Sequence, residues 1–435
     1  MIKRLRMIGG GQSGPRRLAR DTVVLLTLTF VGSLVSVAFT WSMARMLEKG
    51  DFATMTALLG LFGILAVPAR AVDVLAQRIA SATYLSGARS ALIRKSLRSI
   101  SVGGAPVVLL WIAFLPLSQP VAEFLNTDDH AAVIALGAGA ALALLAPLAK
   151  GVLVGARLFV ALGLTTLIDG TFRIITAVLL VSLGAGTAGA IAATPVSIFL
   201  GSAVALAMAY WLLNKRADSP TRGAPGNEAF SWGANSRVAL IALGVAVLVN
   251  VDLILMRHFF DDQQASLYAA SSTVGRIVFF AATPASVVVL PHFMRHITLG
   301  EPFGRSFVVA IGFVAMVSGG AALIILAAPE FVFSVIFDDT YKVVPGLVWA
   351  YVLAGALFSG IMLLSNFHIG VGRTHVWWLI VLLAAGCTWA LWLRHDSPHE
   401  LVWTLNVFLG TTLAVQIAWT HWIFRTSRPS QANQV

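Results

Sequence analysis

Six charged residues sit where a greasy chain would be expected to carry none: Arg70, Asp73, Asp169, Arg173, Asp252 and Arg276. They are the side chains best placed to do chemistry. An arginine stays charged at any physiological pH, and its flat fork of N–H donors fits the oxygens of a phosphate or carboxylate. On a helix, residues three or four apart share a face. Arg70 and Asp73 are therefore expected to be neighbours, as are Asp169 and Arg173 in the stretch LTTLIDGTFRIITAVLL that starts at Leu164. A charge near the middle of a membrane helix costs about 2.5–3.5 kcal/mol even on a lenient scale, so such groups face protein or a hydrated cavity. Arg70, Arg173 and Arg276 are candidates for binding an anion. Asp73, Asp169 and Asp252 could neutralise them when no anion is present, or carry a coupling proton or sodium ion. The plainer alternative is that the pairs only fix helix register, because buried ion pairs often add little net stability.

The elements that must position these residues follow from composition. The chain has 435 residues, of which 58% are hydrophobic and 11% charged. A soluble protein would carry about a quarter charged residues. Apolar runs of about 20 residues cross the hydrocarbon core of a bilayer as helices, because every backbone amide must be satisfied within its own segment. Twelve such spans are expected near 22–45, 53–77, 100–122, 131–149, 158–183, 187–213, 238–258, 265–291, 306–329, 344–370, 374–393 and 401–424. The fold class is an all-α polytopic membrane protein. The basic N-terminus, MIKRLRMIGGGQSGPRRLAR, precedes an apolar run too long for a signal peptide, and reads as leading into a first helix that is retained.

Orientation comes from the basic residues in alternate connections. Both termini and every second connection hold 22 of the 30 Lys and Arg, while the opposite set holds only Arg45, Lys49, Arg257, Lys342 and Arg394. Acids lean the other way, with 4 against 12. Both termini are expected in the cytoplasm, with the chain in the cytoplasmic membrane. The net charge of +11 is then a matter of topology and attraction to anionic membrane lipids, not of nucleic-acid binding. Arg45 and Arg257 stand at the very ends of their spans; only the six residues named at the outset fall in the interior of the spans.

The longest polar stretch, NKRADSPTRGAPGNEAFSWGANSR, divides the chain into two halves, 1–214 and 238–435, joined by a linker at 215–237. FATMTALLG from Phe52 and YAASSTVGR from Tyr268 lie 216 residues apart, as do Pro68 and Pro284, which hints at an internal repeat of the transporter kind. Cys387 is the single cysteine, which excludes an intramolecular disulfide. No cofactor is expected and no metal cluster is visible; His292 and His296 read as a solvated helix end. SGARSALIRKSLR, 86–98, is a basic amphipathic stretch suited to the membrane surface. Pro68, Pro147 and Pro284 are expected to kink helices, and Asn250 and Asn366 could line a cavity.

ARMLEKGDFATMTALLGLFGIL from Ala44, with DLILMRHFFDDQQASLYAASSTVGRIVFF from Asp252, resembles polysaccharide flippases of the Wzx type, in the superfamily that includes lipid II flippases and MATE exporters. The stretch entering the tenth helix around Tyr341 and the VGRTH turn from Val371 resemble the same family. The resemblance implies about twelve transmembrane helices in two six-helix bundles around a central cavity, working by alternating access. It implies a polyprenyl-pyrophosphate-linked oligosaccharide as substrate, with polysaccharide polymerase or glycosyltransferase machinery as partners. A MATE-like exporter of small amphipathic compounds is the alternative; it would favour unpaired carboxylates and aromatic walls. A membrane polysaccharide polymerase or ligase fits less well, because the non-cytoplasmic connections are short and none carries a nucleophile–base pair.

Overall fold

The computed structural model describes residues 15–85, 89–156, 158–214, 232–299, 304–337 and 341–426, with the side chains of 15–23, 25, 26, 29, 85, 89–91, 214, 232–235, 283–306 and 424–426 outside that description. The N-terminal basic segment before residue 15, most of the linker and the start of the amphipathic stretch lie outside the described residues. So do the side chains of Pro284, His292 and His296.

Helices account for nearly all of what is described, and no strand occurs among the described residues. The first half comprises α1 (Pro15–Met46), α2 (Lys49–Leu65), α3 (Pro68–Leu85), α4 (Arg89–Phe114), α5 (Ser118–Phe124), α6 (His130–Ala143), α7 (Ala146–Gly155), α8 (Phe159–Leu180) and α9 (Gly186–Asn214). The second comprises α10 (Trp232–Phe259), α11 (Asp262–Leu299), α12 (Gly304–Ala327), α13 (Pro329–Phe337), α14 (Pro345–Gly370), α15 (Trp377–Leu393) and α16 (Pro398–Thr426). Ten segments are long and apolar enough to cross a membrane, and the bent pair α2–α3 makes an eleventh. Among the described residues eleven of the twelve expected spans are thus present, and α1 supplies a shorter apolar helix, Phe30–Met46, where the first span is expected.

Two spans break where prolines are expected to kink them, and the later of the two also runs further than expected. The second span is broken at Ala66–Val67, where its two parts meet at 47°. Pro68, which has no N–H to donate, opens the second part, so the ring sits where a helix tolerates it. The fourth span does not end at 149. After a turn at Leu144 and Leu145, α7 opens with Pro147 in its first turn and carries the span on to Gly155. Lys150, assigned above to a connection, thus lies inside a helix that continues the span. The expected break between the fifth and sixth spans falls at Gly184 and Gly186, whose φ angles of 89° and 47° suit glycine. Asp129 satisfies helix starts on both sides of it: Oδ1 accepts Ala132 N–H in α6, and Oδ2 accepts Ala188 N–H in α9.

Within the first half α8 packs on α1 and α9; within the second α11 packs on α12 and α14, and α14 on α16. Between halves α2 lies against α10 and α11, and α1 against α11. The largest apolar core draws on both halves, with Phe52 and Leu58 beside Leu248, Tyr268 and Tyr351. Side chains such as Leu109, Val308 and Phe331 point outward, as a lipid-facing surface requires.

Candidate functional site

A cavity of about 290 Å³ lies where α1, α2 and α8 of the first half face α10 and α11 of the second. Its walls are mostly apolar and aromatic, with Phe39, Trp41, Phe62 and Phe280 among them. Two charged side chains enter it, Arg173 from α8 and Arg276 from α11. A second cavity, about 580 Å³ between α12, α14 and α16, is larger but has no Lys, Arg, Asp or Glu in its lining. A polar ligand in hydrocarbon needs partners for its polar groups, so the smaller cavity is the candidate site.

The two arginines are held differently. Arg276 donates from Nη1 to Asn250 Oδ1 at 3.2 Å and from Nη2 to the Val249 carbonyl. Its Nη2 also lies 3.8 Å from Asp252 Oδ1. Asp252 is fully buried, and two tyrosine hydroxyls donate to its Oδ2: Tyr351 at 2.5 Å and Tyr268 at 3.3 Å. The tyrosine rings meet edge to face with centroids 5.0 Å apart. A buried carboxylate is thus covered on one oxygen by hydroxyls and opposed on the other by a guanidinium.

Arg173 makes no salt bridge among the described residues. Its guanidinium lies 4.0 Å from the ring centre of Phe39. That stacking engages the face of the fork and leaves its in-plane N–H donors unused. The expected Asp169–Arg173 pair is therefore not formed: Asp169 Oδ2 instead accepts from Lys150 Nζ of α7, and Oδ1 has no hydrogen-bond partner. The cause is the longer fourth span, which carries a lysine to the carboxylate. Arg70 and Asp73 do not pair either. Arg70 is exposed on α3, Asp73 is half-buried, and neither lines the cavity.

Of the six residues singled out in the sequence, the fold brings Arg173, Arg276 and Asp252 to one place, leaves Asp169 one turn away facing another helix, and sets Arg70 and Asp73 apart. Asn250 lines the cavity; Asn366 does not. Sequence reasoning missed Tyr268, Tyr351 and Lys150. The tyrosines gave no local signal, since they stand 16 and 99 residues from Asp252. Among the described residues no group of three or more His, Cys, Asp or Glu could hold a metal ion.

Arg257, assigned above to a connection, is buried instead. It donates to Thr54 Oγ1 at 2.9 Å, to the Asn126 carbonyl at 2.7 Å and to Asp262 Oδ1 at 2.6 Å. His258 beside it donates to the Phe124 carbonyl at 2.7 Å. Arg45 Nη2 and Trp41 Nε1 of α1 both reach the Val335 carbonyl of α13 at 2.8 Å. These bonds tie the two halves together at the end poor in lysine and arginine.

No family model and no curated protein matches the chain. Solved structures match its fold throughout. The inward-facing conformation of a multidrug resistance MATE family transporter of the MOP superfamily gives a TM-score of 0.71 at 15% identity, over 94% of this chain and 100% of that one. The outward-facing conformation of such a transporter gives 0.66 at 15%, over 95% and 97%. A MOP superfamily transporter from Pyrococcus furiosus, described as having a binding pocket of reverse polarity that suggests a different function, gives 0.61 at 18%, over 92% and 95%. The chain has the fold of a multi-pass membrane transporter.

Proposed function

We propose that this protein carries a polyprenyl-pyrophosphate-linked oligosaccharide across the cytoplasmic membrane, by alternating access between the halves 1–214 and 238–435, for polysaccharide assembly. The observation that supports this best is the central cavity, whose only charged lining groups are two guanidiniums, one of them without an anionic partner. A guanidinium is always cationic and can grip phosphate oxygens in bidentate fashion, each charge-assisted bond being about twice as strong as a neutral one. A cavity of 290 Å³ is at the small end of ligand sites, which run from about 300 to 1,000 Å³. It suits a pyrophosphate; the sugars would need the halves to part. Asp252, Asp169 or Asp73 would carry a coupling proton or sodium ion, and polymerase or glycosyltransferase machinery would work on either side of the step. The basic loops would face the cytoplasm.

A MATE-like exporter of small amphipathic compounds is the second reading. It draws on the fold likeness and on the aromatic wall of the cavity. A cationic drug, however, would meet two guanidiniums and no exposed carboxylate there. The Pyrococcus furiosus transporter described by the reverse polarity of its pocket offers a parallel for a departure of this kind from the drug exporters.

The test is to delete the gene, extract lipids, and look by mass spectrometry for polyprenyl-pyrophosphate oligosaccharides, with intact spheroplasts treated in parallel with an external glycosidase. Complete units that accumulate and resist digestion are the expected result. Units that accumulate but are digested have already crossed, and would move the role to polymerisation or ligation. With a complementing plasmid, Arg173→Gln and Arg276→Gln should each lower polymer output at least about tenfold, the worth of one charge-assisted bond. Normal output from both variants would rule out the phosphate site.

A further inference from the structure

We infer that Lys150 is a positioning residue for anion binding: by holding the Asp169 carboxylate, it keeps the Arg173 guanidinium unpaired and open to an anion in the central cavity. The inference rests on reading that cavity as a phosphate site.

Asp169 and Arg173 stand four apart on α8, the spacing at which opposite charges meet along one helix face. Left to themselves in a poorly hydrated interior they would attract strongly, because a pair of charges interacts several times more strongly there than in water. An incoming phosphate would then have to displace a tethered carboxylate that costs no translational entropy to bind. The structure avoids this. Asp169 Oδ2 is taken by Lys150 of α7. Gly201 of α9 supplies the room, since a Cβ at that position would collide with the Asp169 carboxylate. The carboxylate therefore lies against α7 and α9, and the guanidinium lies against Phe39 of α1 at the cavity wall. Both are half-buried residues of one helix, yet neither is the other's partner.

Arg276 shows the contrast. Its donors are already engaged by Asn250 Oδ1 and the Val249 carbonyl, with Asp252 opposite. Arg173 is thus the freer of the two cations, and Lys150 is what makes it so. Lys150 is absent from the cavity lining, so its effect on an anion there runs through Asp169.

The experiment uses the full-length protein in lipid nanodiscs, with inorganic pyrophosphate as the probe in calorimetric titrations. Wild type, Lys150→Met, Lys150→Arg, Asp169→Asn and the double variant Lys150→Met/Asp169→Asn are compared. Lys150→Met is expected to weaken pyrophosphate binding about tenfold, because Asp169 turns to Arg173. Lys150→Arg keeps the pair and binds as wild type. The double variant, with no carboxylate to capture Arg173, recovers to within about threefold of wild type. Asp169→Asn alone is the decisive readout: it breaks the same ion pair but leaves no carboxylate to capture Arg173, so pyrophosphate binding stays as in wild type if Lys150 acts by positioning and falls as in Lys150→Met if the pair only holds the fold. If Lys150→Met binds as wild type, or the double variant stays as weak as Lys150→Met, the positioning role is wrong while the cavity reading stands. If wild type itself does not bind pyrophosphate, the cavity reading fails and takes the inference with it.

Discussion

At the scale of single residues, the tightest chemistry is around Asp252. Its two tyrosine donors are unequal, at 2.5 Å from Tyr351 and 3.3 Å from Tyr268. Hydrogen bonds weaken as they lengthen, and one to a charged group contributes about 1.5–3 kcal/mol. Tyr351→Phe should therefore cost about 2 kcal/mol of stability and Tyr268→Phe less than about 1. Thermal unfolding in detergent gives the comparison, and an equal or reversed ranking would show that the two hydroxyls do not share the carboxylate as the geometry has it. The charged half of this cluster was legible in the sequence: Asp252 and Arg276 stood out because all other charges, save those in Arg70–Asp73 and Asp169–Arg173, could be placed in connections. The tyrosines were not legible, because an aromatic in an apolar helix looks the same whether its hydroxyl meets a carboxylate or the interface. Lys150 was hidden by the same bookkeeping, one residue beyond the expected end of its span.

At the scale of elements, what holds the cluster in place is how closely α11 and α14 approach. A Cβ on Gly355 would strike the Gly275 carbonyl, and one on Gly275 would strike the Tyr351 carbonyl. The two helices touch backbone to backbone one turn from the hydroxyl that holds Asp252. Small residues permit such contacts between membrane helices, where van der Waals packing replaces the hydrophobic effect as the source of affinity. Gly355→Leu should lower stability by about 3 kcal/mol or more, because backbone cannot move aside as a side chain can. Gly410→Ala in α16 is the control: nothing lies within 4 Å of a Cβ there, so the change should be neutral or slightly stabilising. The fraction of protein surviving a heating step before size-exclusion chromatography reads both. Element breaks were partly legible: Pro68 announced the bend in the second span, and Gly184 and Gly186 the turn before α9. The continuation of α6 into α7 was not, since ALALLAPLAKGVLVG offers Ala and Leu on both sides of the turn and its one polar residue, Lys150, reads as the start of a connection.

At the scale of the whole molecule, the two halves bring different charges to the cavity: Arg173 from one, and Arg276 with Asp252 beside it from the other. The 216-residue offset that matches Phe52 to Tyr268 also sets Ser36 opposite Asp252 and Gly60 opposite Arg276. Ser36 and Gly60 line the cavity. Where the second half places a charged pair, the first places two small residues, and the space left is part of the cavity. At the end poor in lysine and arginine, Arg257 reaches Thr54 and Asn126 of the first half while held by Asp262 of its own. An arginine bridging the two halves makes any separation of them depend on losing its bonds together. If the halves part at this end during transport, Arg257→Ala should shift the resting population towards the form open there. Ser36→Cys in a Cys387→Ala background provides the reporter, because Cys387 is buried and its removal leaves one thiol, in the cavity wall. On the reading that the basic loops face the cytoplasm, a membrane-impermeant maleimide added to intact spheroplasts should label that thiol several times faster with Arg257→Ala than without it. The loss of two interhelical bonds of about 1 kcal/mol each corresponds to a shift of that size or larger. Labelling that is unchanged from outside but faster in inverted vesicles would mean that the end tied by Arg257 faces the cytoplasm, reversing the orientation drawn from the basic loops. Labelling unchanged from both sides would mean that Arg257 ties the halves without controlling access to the cavity.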